Sequence, residues 1–560
     1  MRRREFIGLS LSAAMGAGCS MPWCGERLWK IPTAAKIGAP DYWCTWDTQG
    51  ALAGASDGIK TSLPAFPGDQ GRPGVRDYMN EDVIFGKRGL AYLYPETRKY
   101  LSLVLDDGWD VPYGADGWRG DMSPFSTLVP DPVRFPSLKG TPSEKLRQLA
   151  RRAEDAGWHG LGLWVACQAS GKELFTKGPE DPAVIDQLKR KLEWCAEAGI
   201  TYWKVDWGRM NRNAKFRGLM TELKNKIHPT LVMEHCRGFD NALNGIPGMP
   251  KNPDGSPNYT GPNGRVYGND LYATVTKQAT DIIAVSDTFR TYDVANPMTT
   301  ATALDRAAWA VDIADKLGAK AIVNIEDETV AAICLGLATG VMRSALNRSY
   351  AKISPRTTFD RLKEIDRAVR WRQLAPAFGS DRGIKLKLSD ETIEENWHFE
   401  KDSTWLSALF GHTFSQRAAA RMSRGTPLPV VKAHGDEAPF VVASKSPDTG
   451  AVSIGVLPIL TMAKGYHTPK AEVSLDVTID DVTPLAVFGE AESVTVCAPR
   501  RPSAVYVADL AGGEVENIAS QCVWESGRLV LPGKTLAKIG SQANGVEDKS
   551  SPGVMIRVCS

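Results

Sequence analysis

The stretch Ile200-Thr-Tyr-Trp-Lys-Val205 is a short apolar run that leads directly into Asp206. Similar runs recur between residues 39 and 344, and longer stretches with helical periodicity separate them. The other candidate strands are 42–46, 100–105, 161–166, 230–234, 281–285, 319–323 and 340–343, and the helical stretches include 141–156, 182–198 and 299–317. Strands that alternate with helices in this way predict an α/β fold, a closed parallel (β/α)₈ TIM barrel over residues 36–380. An open doubly wound sheet is the alternative, but no Gly-rich dinucleotide turn follows the first strand.

The pattern changes after the last candidate barrel helix, at 360–373. Short strand-like runs separated by Gly and Asp turns begin near residue 440. This spacing predicts a C-terminal antiparallel β-sandwich over residues 430–560, with an irregular bridging segment over 381–429.

Composition excludes several classes of protein. The chain has 560 residues, 43% hydrophobic and 24% charged, which rules out wholesale disorder and collagen-like structure. Its 67 basic and 65 acidic side chains leave a net charge of +2, so no bulk charge attracts nucleic acid. Ten cysteines are too few for a disulfide scaffold of this length. We expect a large globular enzyme without a nucleic-acid partner.

Residues 1–20 have the features of an export signal. Arg2 and Arg3 precede a short apolar run, as in twin-arginine signals, which export folded proteins. Cys19 follows small residues and is a candidate for lipidation, the one membrane anchor that we predict. The mature protein is therefore expected in the periplasm or at the cell surface.

Acidic residues follow four of the candidate strands. Asp106 and Asp107 follow the second strand, Asp206 the fourth and Asp287 the sixth, and Glu234 ends the fifth. The carboxyl ends of barrel strands converge on the face that carries active sites. Because buried unpaired carboxylates are costly, packing alone does not explain this arrangement.

Two carboxylates on one face can cleave a glycosidic bond, one as the nucleophile and the other as the proton donor. Lys204 and Asp206 are two residues apart on a strand and leave it on the same side. A nearby ammonium favours the ionised carboxylate that a nucleophile needs, so we predict that Asp206 is the nucleophile. Asp287 is the predicted acid/base, although Asp293 on the same loop competes with it.

The motifs Leu105-Asp-Asp-Gly-Trp109, Gly162-Leu-Trp164, Tyr202-Trp-Lys-Val-Asp206 and Val285-Ser-Asp287 resemble, in order, those of the α-galactosidases of glycoside hydrolase families 27 and 36. The resemblance implies a retaining, exo-acting hydrolase of terminal α-galactosyl-type residues, with a barrel followed by a β-sandwich and no cofactor. It implies that Asp206 is the nucleophile and Asp287 the acid/base. The substrate-binding residues predicted with it are Asp106, Asp107, Trp164, Lys204, Glu234, Cys236 and Arg290. Substrates related to galactose, α-N-acetylgalactosaminides or β-L-arabinopyranosides, stay open, because Ala284 and Arg290 depart from the family pattern around the acid/base.

Each motif also has a purely structural interpretation. The Asp106-Asp107-Gly pattern is common in turns, and Lys204 with Asp206 could be a simple ion pair. Trp164 and Trp203 are expected to pack in the core rather than against a sugar. Arg290 could contact a sugar hydroxyl or the acid/base, or face solvent.

Two other functions remain as alternatives. A non-catalytic carbohydrate-binding relative would keep Asp106, Asp107 and Trp164 but lose a catalytic carboxylate. A metal-dependent hydrolase would use the Glu234-His235-Cys236 run, but neighbouring strand residues point to opposite faces and should not bind one ion together. We therefore predict no metal site and a carbohydrate as the substrate.

Overall fold

The computed structural model describes residues 41–54, 74–115, 121–237, 269–291, 300–326, 328–342, 361–398, 413–546 and 548–560. Eight parallel strands close into a barrel, in which each strand pairs with the next and the last pairs with the first. The strands are β1 (Tyr42–Cys44), β2 (Ser102–Leu105), β3 (Gly160–Val165), β4 (Tyr202–Val205), β5 (Val232–Arg237), β6 (Thr288–Thr291), β7 (Ile322–Glu326) and β8 (Ala338–Val341). The predicted (β/α)₈ barrel is confirmed, and the open doubly wound sheet is excluded.

Helices follow the barrel strands along the chain. They are α1 (Trp46–Gly54), α2 (Glu81–Phe85), α3 (Pro142–Asp155), α4 (Pro182–Ala198), α5 (Ala214–Ile227), α6 (Asn269–Ile283), α7 (Thr300–Leu317), α8 (Thr329–Cys334) and α9 (Leu362–Arg372). Local sequence sets their ends. Helix α3 begins with a capping box between Thr141 and Glu144, and α4 ends at Gly199, whose φ of 76° is easy only for glycine. None of the described helices is long and apolar enough to cross a membrane.

The sixth strand lies later in the chain than the sequence predicted. Residues 281–285 were expected to form it, but α6 extends to Ile283 and β6 begins only at Thr288. Ile282 and Ile283 are fully buried on that helix. A short apolar run fits a buried helix end as well as a strand, which explains the error.

Side chains that point into the barrel form an apolar layer below a polar one. Val232, Ile322 and Ala338 pack together toward the amino end of the strands. Two residues further along β5 and β7 stand Glu234 and Asn324, both buried. Barrel interiors are usually filled by Val, Ile and Leu, so polar groups at the carboxyl end indicate a functional face.

Two large β-sheets, which pack face to face, and two two-stranded sheets follow the barrel. Their strands are β9 (Leu386–Leu388), β10 (Thr392–His398), β11 (Thr413–Ala419), β12 (Arg421–Arg424), β13 (Val430–Ala433), β14 (Phe440–Lys445), β15 (Val452–Leu457), β16 (Ile459–Thr461), β17 (Gly465–His467), β18 (Ala471–Thr478), β19 (Leu485–Phe488), β20 (Ser493–Cys497), β21 (Ala504–Asp509), β22 (Glu516–Asn517), β23 (Val523–Glu525), β24 (Arg528–Pro532) and β25 (Gly553–Cys559), with helix α10 (Gly533–Ile539). One large sheet has the order β22-β21-β25-β19-β15-β14-β12-β9 and the other β13-β18-β20-β24-β23, while β10 with β11 and β16 with β17 form the two-stranded sheets. Most pairs are antiparallel, as predicted, while β12–β14, β15–β19 and β18–β20 are parallel.

The segment over 381–429 is more ordered than the predicted irregular bridge. Strands β9 and β12 within it pair with each other in the larger sheet, and β10 pairs with β11 as a hairpin. The sandwich therefore includes strands well before residue 430. It is joined to the barrel by a buried ion pair, in which Arg367 on α9 donates to both carboxylate oxygens of Asp509 at 2.8 Å.

Candidate active site

Asp206 lies where β4 ends, at the carboxyl face of the barrel. The indole N–H of Trp164 donates to its Oδ2 at 3.1 Å, and Nη2 of Arg290 lies 3.8 Å from the same oxygen. Among the described residues, the buried Oδ1 accepts no hydrogen bond. A buried anionic oxygen without a donor is costly. One oxygen of Asp206 is thus held in place while the other is unengaged.

Lys204 and Asp106 form a buried ion pair across the barrel interior. The ammonium lies 2.5 Å from Oδ2 of Asp106, and the thiol of Cys44 on β1 donates to that oxygen at 2.8 Å. Burial and the charge of Arg290 lower the pKa of Lys204. The negative charges of Asp106 and Asp206 have the larger effect and raise that pKa well above its usual value. Lys204 therefore carries a permanent positive charge. Its direct partner is Asp106 and not Asp206.

Asp107 has a cation of its own. Arg76 donates from Nε and Nη2 to its two carboxylate oxygens, at 2.9 and 2.8 Å. Burial raises the pKa of Asp107, and Arg76 opposes that shift. Separate cations thus balance the adjacent carboxylates of Asp106 and Asp107, which is more than a turn motif requires.

Glu234 lies deeper in the barrel and is saturated by protein donors. It accepts hydrogen bonds from the hydroxyl groups of Tyr42 at 3.0 Å and Tyr202 at 2.8 Å, and from the amide of Asn324 at 2.6 Å. All four side chains are buried. The predicted contact of Glu234 with substrate is not supported by this geometry, because its oxygens are already engaged.

Arg290 on β6 is fully buried and connects several strands. It donates to Sγ of Cys236 on β5 from Nε at 2.8 Å and from Nη2 at 2.5 Å, and it is hydrogen-bonded to Glu326 at the end of β7. Of the interpretations open for Arg290, the one in which it faces solvent is wrong. Cys236 is a buried thiol whose pKa is raised by burial, so it contacts Arg290 as a neutral group.

Asp287 lies at the opposite end of the barrel from Asp206. It precedes the first residue of β6, and its carboxylate accepts hydrogen bonds from Lys224 on α5 at 2.7 Å and from the main-chain N–H of Met233 at 2.9 Å. The predicted role as acid/base is therefore corrected. The cause is the displaced sixth strand, because a residue before a parallel strand lies at its amino end. Asp293 lies outside the described residues.

The two tryptophans are buried, as expected. Trp203 faces the helices, and Trp164 points into the barrel mouth, where its N–H reaches Asp206. Trp164 thus contacts the carboxylate of Asp206, and its full burial leaves no exposed ring face for a sugar.

Sequence reasoning missed four residues of this cluster, namely Cys44, Arg76, Asn324 and Glu326. Two of them had a usable signal. The seventh strand was predicted only to residue 323. Extending it by three residues would place Asn324 and Glu326 on the inner face, because side chains two residues apart on a strand point to the same side. Arg76 had none, because it comes from a segment without a strand pattern and reaches Asp107 only through the fold.

Within the described ranges, no group of three or more His, Cys, Asp and Glu side chains is arranged to hold a metal ion. His235 illustrates why. Its side chain leaves the barrel on the outer side, where Arg217 and Thr221 contact it, while Glu234 and Cys236 point inward. Burial and Arg217 lower its pKa well below the usual value, so the imidazole is neutral.

No family model matches the chain, and no curated protein sequence matches it significantly. Several solved structures are similar to it. A candidate α-galactosidase from Bacteroides fragilis aligns at a TM-score of 0.39 and 10% identity, over 92% of this chain and 79% of that one. A family 27 β-L-arabinopyranosidase from Geobacillus stearothermophilus aligns at 0.38 and 11%, over 94% and 97% of the two chains. An α-amylase from Geobacillus thermoleovorans, in complex with acarbose, aligns at 0.38 and 9%, over 93% and 99%. Likenesses this remote carry no inference about activity, which has to come from the residues of the site.

Proposed function

We propose that the protein is a retaining, exo-acting glycoside hydrolase that cleaves terminal α-galactosyl-type residues. The observation that carries the proposal is the buried Oδ1 of Asp206, which accepts no hydrogen bond from the described residues while Trp164 and Arg290 hold Oδ2. A carboxylate positioned by one oxygen and unengaged at the other suits nucleophilic attack on an anomeric carbon.

The reaction then has two steps. An oxygen of Asp206 bonds to the anomeric carbon, the bond to the leaving oxygen breaks, and an acid residue gives that oxygen its proton. Water next attacks the anomeric carbon, the bond to Asp206 breaks, and the water proton passes to the same acid residue. Arg290 beside Asp206 favours the carboxylate that must form again as the sugar leaves.

Asp293 takes the place of Asp287 in this proposal as the acid/base. Strand β6 ends at Thr291, and Asp293 follows two residues later in the sequence. Because Thr291 ends β6 at the carboxyl face, where Asp206 lies, we propose the next carboxyl group in the sequence as the proton donor. Asp287 lies too far away, at the amino end of the same strand.

The ion pairs beside Asp206 support a hydroxyl-rich substrate. Asp106 and Asp107 are buried with fixed cations at the carboxyl end of β2. Oδ1 of Asp106 and both oxygens of Asp107 each accept one of the hydrogen bonds described and have acceptor capacity for a sugar hydroxyl. Such a site rejects a sugar in which one hydroxyl is misplaced. Both carboxylates and a positioned nucleophile also favour an enzyme over a non-catalytic binding protein.

A screen of aryl glycosides tests the proposal. α-Galactoside, α-N-acetylgalactosaminide and β-L-arabinopyranoside should include the best substrate, and the matching α-glucoside should react far more slowly. Retention is read from the anomer that is released first, by NMR. Release of the inverted sugar, or no hydrolysis of any of the compounds, would reject the proposed function.

We also propose export through the signal at 1–20, which lies outside the described residues, with a lipid at Cys19 as an optional anchor. Cell fractionation of the wild type and of an Arg2→Lys/Arg3→Lys variant tests this. Loss of the protein from the periplasmic and membrane fractions in the variant is expected.

A further inference from the structure

A continuous stack of side chains runs from Asp206 to Asp107. Trp164, which donates to Asp206, has its ring centre 5.1 Å from that of Trp207. The Trp207 ring meets Phe125 edge-on at 4.9 Å, and the guanidinium of Arg76 lies 5.0 Å over Phe125 while it binds Asp107. We call these four side chains, Trp164, Trp207, Phe125 and Arg76, the aromatic wall.

Within the aromatic wall, Trp207 differs from its neighbours in exposure. Trp164 and Phe125 are fully buried and Arg76 is buried, whereas Trp207 is half-buried. Trp207 also follows the proposed nucleophile directly in the chain. The part of the wall that reaches the surface therefore lies beside the reacting carboxylate.

Main-chain contacts fix the position of Trp207. Its carbonyl accepts the N–H of Cys167 at 2.7 Å, and the carbonyl of Cys167 accepts the N–H of Met210 at 2.9 Å. Gly208 between them has a φ of 146°, and a Cβ there would come within 2.7 Å of the Cys167 nitrogen. The loops after β3 and β4 are thus joined, and Trp207 has little freedom to move.

The turn that carries Phe125, which packs against Trp207, has an unusual backbone conformation. Phe125 begins a turn in which Ser126 and Leu128 adopt positive φ values of 64° and 55°. The N–H of Leu128 donates to the buried carboxylate of Asp110 at 3.0 Å, which holds the turn in this conformation. Non-glycine residues in this region cost free energy and tend to occur at functional sites, where the surrounding structure enforces them.

We propose that Trp207 is a specificity-determining residue against which the sugar packs its apolar face, an inference that rests on the proposed glycosidase function. A sugar bound between Asp206 and Asp107 would lie against the aromatic wall, which contacts Asp206 through Trp164 and Asp107 through Arg76. In a galactose-configured ring, the hydrogens on carbons 3, 4 and 5 point to one face and form an apolar patch. Packing that patch on Trp207 turns the opposite face, with the axial 4-hydroxyl, toward the polar side chains.

Kinetics of Trp207→Leu and Trp207→Phe test this role. We expect Trp207→Leu to raise both KM for an aryl α-galactoside and Ki for free galactose about ten-fold, with a smaller change in kcat, and Trp207→Phe to recover most of the loss. Trp524→Leu is the matched control, since Trp524 is another half-buried tryptophan, on β23, whose indole donates to Ala498 at 2.8 Å. Its KM and Ki should stay at the wild-type values.

The outcomes separate this inference from the proposed function. If the wild type is active and KM and Ki are unchanged in Trp207→Leu, the role of Trp207 is rejected and the glycosidase stands. If Trp207→Phe is as impaired as Trp207→Leu, the aromatic platform is rejected as well. If the wild type hydrolyses nothing, the proposed function fails, and calorimetric titration with galactose decides about Trp207. Weaker binding by Trp207→Leu than by the wild type supports the platform, and equal or absent binding overturns it.

Discussion

Asp206 and Asp287 lie at opposite ends of the barrel, because Asp206 follows the last residue of β4 and Asp287 precedes the first residue of β6. Asp206 contacts Trp164 at the carboxyl face, and Asp287 contacts Lys224 on the outer helix α5. One sugar cannot reach both carboxylates. In the proposed mechanism, the acid/base that works with Asp206 must therefore lie at the carboxyl end of the strands.

Asp206→Gly should abolish nearly all turnover, because the variant has no carboxylate at the position where Trp164 and Arg290 hold Oδ2 of Asp206 and Oδ1 is unengaged. Azide or formate, as a small external nucleophile, should restore hydrolysis of activated aryl glycosides. Initial rates with and without azide measure this. More than about a tenth of the wild-type rate in the variant, a loss under about 1.4 kcal/mol, would place the nucleophile elsewhere.

Asp293→Ala should slow substrates with poor leaving groups far more than activated aryl glycosides, which need little protonation. Asp287→Ala is the matched control. It should reduce stability through the loss of its contacts with Lys224 and Met233 but affect both substrate types equally and mildly. A leaving-group dependence in Asp287→Ala that is absent from Asp293→Ala would restore Asp287 as the acid/base.

Asp107→Asn should erode the preference for an α-galactoside over the matching α-glucoside, because the amide removes one of the acceptors beside Arg76. Asp509→Asn provides the control, since Arg367 binds Asp509 in the same two-pronged way far from the barrel mouth. Each variant should lose about 3–5 kcal/mol of stability by breaking a buried pair. Selectivity should fall only in Asp107→Asn, and equal selectivity in both variants would contradict the assignment.

The buried carboxyl group of Asp110 is expected to make the stability of the protein depend on pH. Burial raises the pKa of this carboxyl to about 7, opposed by its bond from the N–H of Leu128 and by Lys191. Because the pKa of Asp110 is raised from 3.8 in the folded protein, the contribution of this group to the free energy of unfolding is fully present below pH 3.8. That contribution is lost as pH rises through about 7. Burial also lowers the pKa of Lys191 to about 7, so above that pH the buried lysine is neutral and compensates little.

Asp110→Asn imitates the protonated carboxyl and should escape this loss. Relative to the wild type, its free energy of unfolding should be unchanged near pH 4 and higher near pH 8, by up to about 4 kcal/mol. Urea unfolding at the two pH values measures the difference. A variant that is less stable at pH 8 would mean that the carboxylate is charged and well paired in the folded protein.

Strand ends were the most predictable part of the site. Seven of the eight barrel strands overlap the apolar runs that predicted them, and the polar residues that follow β2 and β4 lie at the carboxyl face. The sixth differs because its predicted run is the end of a buried helix. Because the sixth strand begins after Asp287 instead of ending before it, Asp287 lies at the amino end of the strand and not at the predicted carboxyl face.

The sequence by itself determined the alternation of strands and helices, the change to a β-rich C-terminal part, and the placement of Asp106, Asp107 and Asp206 at strand ends. These features depend on local periodicity, which neighbouring residues encode. Only the tertiary structure decided the pairings, such as Lys204 with Asp106 and Arg76 with Asp107. Those partners are 98 and 31 residues apart, and barrel closure, which no local pattern specifies, brings them together.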